Sequence, residues 1–269
     1  MEKKAVLVVS FGTSYQDTRE KTLDVIEDEI REAFPEYEFR KAYTSPTIRR
    51  ILKDRDGIEI DDVEQALARL AREDYHTVIV QPTHVIHGFE YDRMMKAIEG
   101  QRKDFAQLVC GEPLLTEEED YRQSARILGE MYDGYRQDGT DIILMGHGTE
   151  HAANEAYRRL QQAFFDENLS DFLVGTVEAS PTLENMMSLA GDRKAHRVVL
   201  VPYLVVAGEH VIHDMAGDQE GSWKSRFERS GYQVECVMRG LGEYPGIRGM
   251  YLHHARQAGA CLLEETTGR

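Results

Sequence analysis

Residues 142–149 read Ile-Ile-Leu-Met-Gly-His-Gly-Thr, and residues 6–13 read Val-Leu-Val-Val-Ser-Phe-Gly-Thr. Each is a short run of strand-forming residues closed by a glycine-containing turn. The two align on Gly12 and Gly148, an offset of 148 − 12 = 136. Two more matches follow in the same order. Ser45-Pro46-Thr47 matches Ser180-Pro181-Thr182 at 180 − 45 = 135, and His76-Thr-Val-Ile-Val-Gln-Pro82 matches His196-Arg-Val-Val-Leu-Val-Pro202 at 196 − 76 = 120. Gly88 and Gly208 continue the last match at the same offset. Three matches in one order indicate that the second half of the chain repeats the first.

Around these anchors, β-branched runs alternate with longer stretches of helical period, the pattern of a parallel sheet covered by helices. Eight strands are predicted: Ala5 to Ser10, Glu38 to Tyr43, Thr77 to Pro82, Phe105 to Cys110, Asp141 to Met145, Phe172 to Val177, Arg197 to Pro202 and Gln233 to Met238. Helix starts are expected at Asp17 with Glu20, Asp61 with Glu64, and Thr116 with Glu119, each an acceptor followed three residues later by Glu. Behind them lie apolar faces: Leu23, Ile26, Ile30 and Phe34; Val63, Ala66, Leu67 and Leu70; Tyr121, Ala125, Leu128 and Met131. The expected fold class is α/β, with two similar lobes, each a four-stranded parallel sheet flanked by helices. The lobes are placed at residues 1–125 and 126–269, the second carrying a C-terminal helix.

The chain has 269 residues, with 32 Lys and Arg against 48 Asp and Glu, a formal charge of −16. That balance argues against a nucleic-acid binder, which holds phosphates with a basic surface. The longest apolar run, Val198 to Ala207, is broken by Pro202 and is half the roughly 20 residues of a spanning helix, so no membrane span is expected. The N-terminal apolar stretch, Ala5 to Val9, is too short for a signal-peptide core, and the expected location is cytoplasmic. Cys110, Cys236 and Cys261 are far apart and suggest neither a disulfide framework nor a thiolate metal site. The glycine turns match neither a P-loop nor a dinucleotide fingerprint, so no nucleotide is expected. No G-x-S-x-G elbow supports a serine hydrolase.

Ligands of open α/β sheets bind beyond the carboxyl ends of the strands, so the informative residues are those just past each strand. In the second lobe His147, Glu178 and His210 hold three such places. By the three offsets, their counterparts in the first lobe are Phe11, Tyr43 and Glu90. One lobe is therefore expected to hold a cation, and the other to contribute a wall and a carboxylate. Two imidazoles and a carboxylate suit a borderline divalent ion such as Co²⁺, Fe²⁺, Ni²⁺ or Zn²⁺. His84, His87, His151 and His213 lie near the same loops as candidate outer partners. His253 and His254 read as surface residues of the C-terminal helix.

Over residues 5 to about 250 the sequence resembles the single-chain, ATP-independent sirohydrochlorin cobaltochelatases of anaerobic cobalamin biosynthesis, related in fold to ferrochelatase. The resemblance is carried by Leu-Val-Val-Ser-Phe-Gly-Thr-Ser (7–14), Arg-Asp-Gly-Ile-Glu-Ile-Asp (55–61), Gly-Phe-Glu-Tyr (88–91), Met-Gly-His-Gly (145–148) and Val-Gly-Thr-Val-Glu (174–178). It continues through Ala-Gly-Glu-His-Val-Ile-His-Asp-Met-Ala (207–216), Ser-Trp-Lys (222–224) and Gly-Leu-Gly-Glu (240–243). Two departures stand out: Phe89, where an acidic residue can precede Glu90, and His213, where Asn is familiar.

The resemblance implies that His147, Glu178 and His210 bind Co²⁺, and that His147 also accepts a proton, with Glu90 as a second carboxylate facing the metal. Its substrates would be a divalent metal and sirohydrochlorin or precorrin-2, with no nucleotide. Ser10, Phe11, Thr13 and Ser14, with Glu90, are the candidate macrocycle contacts, in a cleft between lobes. Arg49, Arg50, Arg93 and Lys96 are candidates for its carboxylates. Iron or nickel insertion into the same tetrapyrrole, a non-catalytic metal or tetrapyrrole carrier, and a homo-oligomeric assembly stay open at this point. A polycarboxylate substrate also meets an unfavourable overall field on a chain of charge −16.

Overall fold

The computed structural model describes residues 2–267. The chain forms two compact units: residues 1–116 with 242–269, and residues 117–241. In the first, the order is β1 (Lys3–Ser10), α1 (Gln16–Lys21), α2 (Leu23–Ala33), β2 (Glu38–Tyr43), α3 (Pro46–Asp56), α4 (Val63–Arg72), β3 (Tyr75–Pro82), α5 (Phe89–Gln101) and β4 (Gln107–Cys110). The second contains α6 (Glu118–Met131), β5 (Thr140–Gly146), α7 (Glu155–Asp166), β6 (Phe172–Thr176), α8 (Leu183–Asp192), β7 (Arg197–Pro202), α9 (Trp223–Arg229) and β8 (Gln233–Cys236). The last helix, α10 (Pro245–Thr267), returns to the first unit.

Each unit is built on a four-stranded parallel sheet, in the orders β2-β1-β3-β4 and β6-β5-β7-β8. The expected eight strands and paired α/β lobes are found, with strand ends shifted by one to two residues. Central strands are buried on both faces, as continuous apolar sequence requires: Ala5 to Val9 and Ile142 to Met145 are fully covered. On one face of the first sheet Leu67, Leu70, Met94 and Ile98 pack against Leu7, Val78 and Val80. In the second unit Met186, Val211, Trp223 and Phe227 pack with Ile143, Val198 and Leu200. The strand order reverses between β1 and β3, and between β5 and β7, so each unit has a ligand-binding position past the carboxyl ends of those two strands.

Four local expectations shift or break. Asp62, not Asp61, caps α4, and its box partner is Gln65, not Glu64. Thr116 lies outside α6; Glu117 is the N-cap, its N–H donating to Asp120 Oδ2 at 2.8 Å. The helix expected from Asp17 is interrupted at Thr22, whose backbone leaves the helical region, giving α1 and α2. Met131, read as part of an apolar face, is exposed at the end of α6.

The C-terminal helix departs furthest from the sequence reading, which assigned it to a lobe of residues 126–269. Ile247, Tyr251, Ala255, Ala258 and Leu262 form a buried stripe at helical spacing. That stripe covers α2, β3 and β4 of the first unit. Tyr251 Oη donates to the carbonyl of Thr83 at 2.9 Å, and Arg248 pairs with Glu29 at 2.6 Å. His254, expected at the surface, is 4% exposed and holds the carbonyl of Glu112 at 3.2 Å through Nδ1. A half-buried sheet face needs an apolar cover, and α10 supplies it.

Candidate metal centre

At the carboxyl end of β5 the chain turns through Gly146-His147-Gly148. A side chain at Gly146 would strike the ring of Tyr157, with Cβ only 2.2 Å from its Cε1. Gly148 sits at φ +82°, with Thr176 2.8 Å from where a Cβ would stand. Both flanks of His147 are therefore held at positions that only glycine tolerates. The β5–β6 ladder continues past the strands: Val177 N–H donates to the Gly146 carbonyl at 3.0 Å, and Glu178 N–H to the His147 carbonyl at 2.8 Å. This register sets Glu178 beside His147, its Oε2 3.6 Å from His147 Nδ1.

His210 arrives from β7, just before a π-helical turn at Val211–Met215. Its ring meets that of His147 edge-to-face, centroids 4.7 Å apart. One ligand atom from each of His147, Glu178 and His210 lies within 4.8 Å of the others, the one such group among the described residues. All three follow strands of the second sheet, His147 and His210 from the two strands that flank its order reversal. His147 Nδ1 lies 2.9 Å from the Gly148 carbonyl, and His210 Nδ1 2.6 Å from Asp214 Oδ2. Each Nδ1 thus has an oxygen acceptor for its proton, a tautomer that leaves each Nε2 lone pair available to a metal. Side chains of the three are between 35% and 54% exposed, so an ion can reach them from solvent.

The loop from β6 to α8 corrects one part of the repeat. Tyr43 pairs with Ser10, as Thr176 pairs with Gly146, so the counterpart of Tyr43 is Thr176 and not Glu178. Ser45 caps α3 two residues after Tyr43, whereas Thr182 caps α8 six residues after Thr176. The Ser-Pro-Thr match therefore joins a helix cap to a loop. Glu178 instead occupies the register position of Ser45: its N–H donates to the His147 carbonyl as the Ser45 N–H donates to that of Phe11, and the extra residues of the second unit's longer connection follow it. That connection is tied down by Asn154, which accepts from Thr149 N–H at 3.0 Å and donates to the Ser180 carbonyl at 2.6 Å. The Thr176 hydroxyl also donates to the Ala179 carbonyl at 2.7 Å.

In the first unit the loop past β1 and the start of α5 present two phenyl rings, Phe11 and Phe89, each 50% exposed. Glu90 stands in the first turn of α5 and accepts from Arg93 at 2.8 Å. Ser10 and Thr13 are buried and engaged inside the unit. Thr83 Oγ1 donates to Ser10 Oγ at 2.9 Å, and Tyr15 N–H donates to Thr13 Oγ1 at 3.2 Å. Ser14 is half-buried, its carbonyl accepting from Arg55. Arg49 pairs with Asp62, while Arg50 and Lys96 are exposed.

Of the candidate outer histidines, His87 bonds Glu112 at 2.9 Å, His151 accepts from Ala153 N–H, and His213 pairs with Glu209 at 3.3 Å. His84 has both ring nitrogens buried without a partner among the described residues. The outer partner at the metal set is Asp214, which sequence reading passed over. Its signal was the His-x-x-x-Asp spacing, which puts the two side chains on one face of a turn.

Two parallel-sheet units, the second ending in an open set of two imidazoles and a carboxylate, define a chelatase-type α/β protein. SirB from Bacillus subtilis, solved with Fe³⁺, superposes with a TM-score of 0.65 at 10% identity, over 95% of each chain. CbiX, described as the terminal enzyme of siroheme biosynthesis in denitrifying bacteria, gives 0.54 at 15% identity, over 95% of this chain and 99% of its own. The chain belongs to the cobalt chelatase (CbiK) family, which matches residues 4–260. It is 39% identical over 263 residues to the sirohydrochlorin cobaltochelatase of Salmonella typhimurium, covering 98% of this chain and 99% of that one. It is 34% identical to the sirohydrochlorin cobaltochelatase CbiKC of Nitratidesulfovibrio vulgaris, over 97% and 93%.

Proposed function

We propose that the protein inserts Co²⁺ into sirohydrochlorin or precorrin-2 without ATP, the ion being held before transfer by His147, Glu178 and His210. The observation that carries this reading is the convergence of those three side chains past adjacent strands of one sheet. Insertion replaces two pyrrole N–H protons by one M²⁺, so two protons must leave for each ion delivered. An imidazole and carboxylate set takes the place of water around the ion, while three protein ligands leave coordination positions open for exchange. With Nδ1–H held by the Gly148 carbonyl, His147 Nε2 has one lone pair. It serves first as a ligand and, once the ion departs, as a proton acceptor. Glu90 is assigned the second proton, and Phe11 a face of the macrocycle. Ser10 and Thr13, spent on internal hydrogen bonds, shape the turn that presents Phe11.

The test is an absorption assay with purified protein, sirohydrochlorin and Co²⁺, with no nucleotide present. Many turnovers per protein are expected, whereas a carrier would stop at one equivalent. His147→Ala should lower the rate by about 100-fold or more, the usual scale for a lost general base. Metallation by His147→Ala at the parental rate would refute the site. Running Fe²⁺ and Ni²⁺ beside Co²⁺ measures metal preference, with Co²⁺ expected to give the highest kcat/KM.

A further inference from the structure

The two histidines of the metal set are held by different acceptors. The hydrogen-bond acceptor behind His147 is a neutral backbone carbonyl, Gly148 O, at 2.9 Å from Nδ1, with the Glu178 carboxylate farther off at 3.6 Å. Behind His210 stands a carboxylate, Asp214 Oδ2, at 2.6 Å. A charge-assisted bond of that length fixes a ring more firmly than a neutral one, and a carboxylate behind an imidazole strengthens it as a metal donor. Backbone geometry at this point is also unusual. The Ala216 N–H reaches back five residues to the Val211 carbonyl at 3.0 Å, the wide-turn bond of a π segment, which recurs at functional sites. Val211 and Met215 are fully buried and set the rotation of the turn. His210 and Asp214, each one residue earlier, share the adjoining face. A second pair, Glu209 with His213, occupies the same turn at the same spacing, but its histidine is outside the converging set.

We infer that Asp214 is a positioning residue that makes His210 the anchoring ligand of the metal set, and leaves His147 as the ligand that releases first. The inference rests on the metal-binding reading of His147, Glu178 and His210. It divides two histidines of the same residue type into a holder and a releaser, by the charge of the group behind each. In this role Asp214 acts through the His210 ring and not directly on ion or macrocycle.

The test titrates Co²⁺ alone into the metal-free full-length protein by calorimetry, alongside steady-state kinetics with Co²⁺ as the varied substrate. Asp214→Ala is expected to weaken Co²⁺ binding by about 10- to 100-fold, with the loss falling on KM for Co²⁺ more than on kcat. Asp214→Asn keeps an oxygen that accepts Nδ1–H but loses the charge, and should lie between parent and alanine variant; being isosteric, it guards against misfolding. His210→Ala should lose more Co²⁺ affinity than His147→Ala, and His147→Ala more turnover. Parental Co²⁺ affinity in both Asp214 variants, with His210→Ala still impaired, would overturn the positioning role alone. Equal losses of affinity in the two histidine variants would overturn the division of labour. Parental affinity in His210→Ala would overturn the metal site itself and this inference with it.

Discussion

Gly148 and His84 show how single residues set the chemistry and its limits. At Gly148 a left-handed backbone and the side chain of Thr176 leave no room for a Cβ. Gly148→Ala should therefore lower Co²⁺ affinity through displacement of His147 and cost about 1–3 kcal/mol of stability, read from calorimetry and urea unfolding. His84 is a burial problem: its ring nitrogens are enclosed, and burial pushes its pKa from 6.5 down to about 4. Above pH 6.5 it is neutral in both folded and unfolded chains. Below that, the unfolded chain takes up a proton that the folded chain refuses until about pH 4. Stability is lost across that window, on the order of 3 kcal/mol in total. His84→Leu, which installs the residue found at the corresponding place in the second unit, should remove that component. Urea midpoints followed from pH 7 to pH 4 should then slope less steeply for the variant.

Among the elements, the connection from β6 to α8 is where the two units differ most beside the candidate metal set. The first unit joins β2 to the cap of α3 in two residues, and the second takes six to join β6 to the cap of α8. Glu178 stands where the first unit has Ser45, and the added residues follow it, tethered at Ser180 by Asn154. Asn154→Ala removes two hydrogen bonds, each worth about 1 kcal/mol. It should weaken Co²⁺ binding severalfold while leaving the β5–β6 ladder intact, as calorimetry and circular dichroism would report. Sequence pairing of Glu178 with Tyr43 slipped by two residues, because a local match of Ser-Pro-Thr carries no record of strand register. The helix caps slipped for a similar reason: Asp61 and Asp62 are both competent acceptors, and only backbone geometry selects Asp62.

At the scale of the whole molecule, the charge of −16 favours a cation and opposes a polycarboxylate. Raising salt shortens the Debye length from about 10 Å at 0.1 M to about 3 Å at 1 M. KM for the tetrapyrrole is thus expected to fall and KM for Co²⁺ to rise between those limits, in steady-state assays at constant pH. A rise of both together would show that overall charge does not govern approach. Among the described residues no helix is long and apolar enough to cross a membrane. The first unit is completed by a helix at the far end of the sequence: Gly259 of α10 sits so close to Phe34 and Ile79 that an added Cβ would lie 3.2–3.3 Å from them. Gly259→Leu should cost about 1–3 kcal/mol by overpacking.

By itself the sequence determined the number and direction of the strands, the duplication, and the three metal-capable residues, because these follow from periodicity and from what stands just past a strand. Only tertiary structure decided that α10 belongs to the first unit and that His254 is buried, since a helical stripe records that a face must be covered but not which sheet covers it. Tertiary structure also separated Ser10 and Thr13, spent on internal hydrogen bonds, from Phe11, which is open to solvent. It brought out Asp214 as well, a surface-looking carboxylate whose meaning lies in the imidazole four residues before it. Composition and spacing are properties of the chain, whereas the partner of a side chain is a property of register and packing.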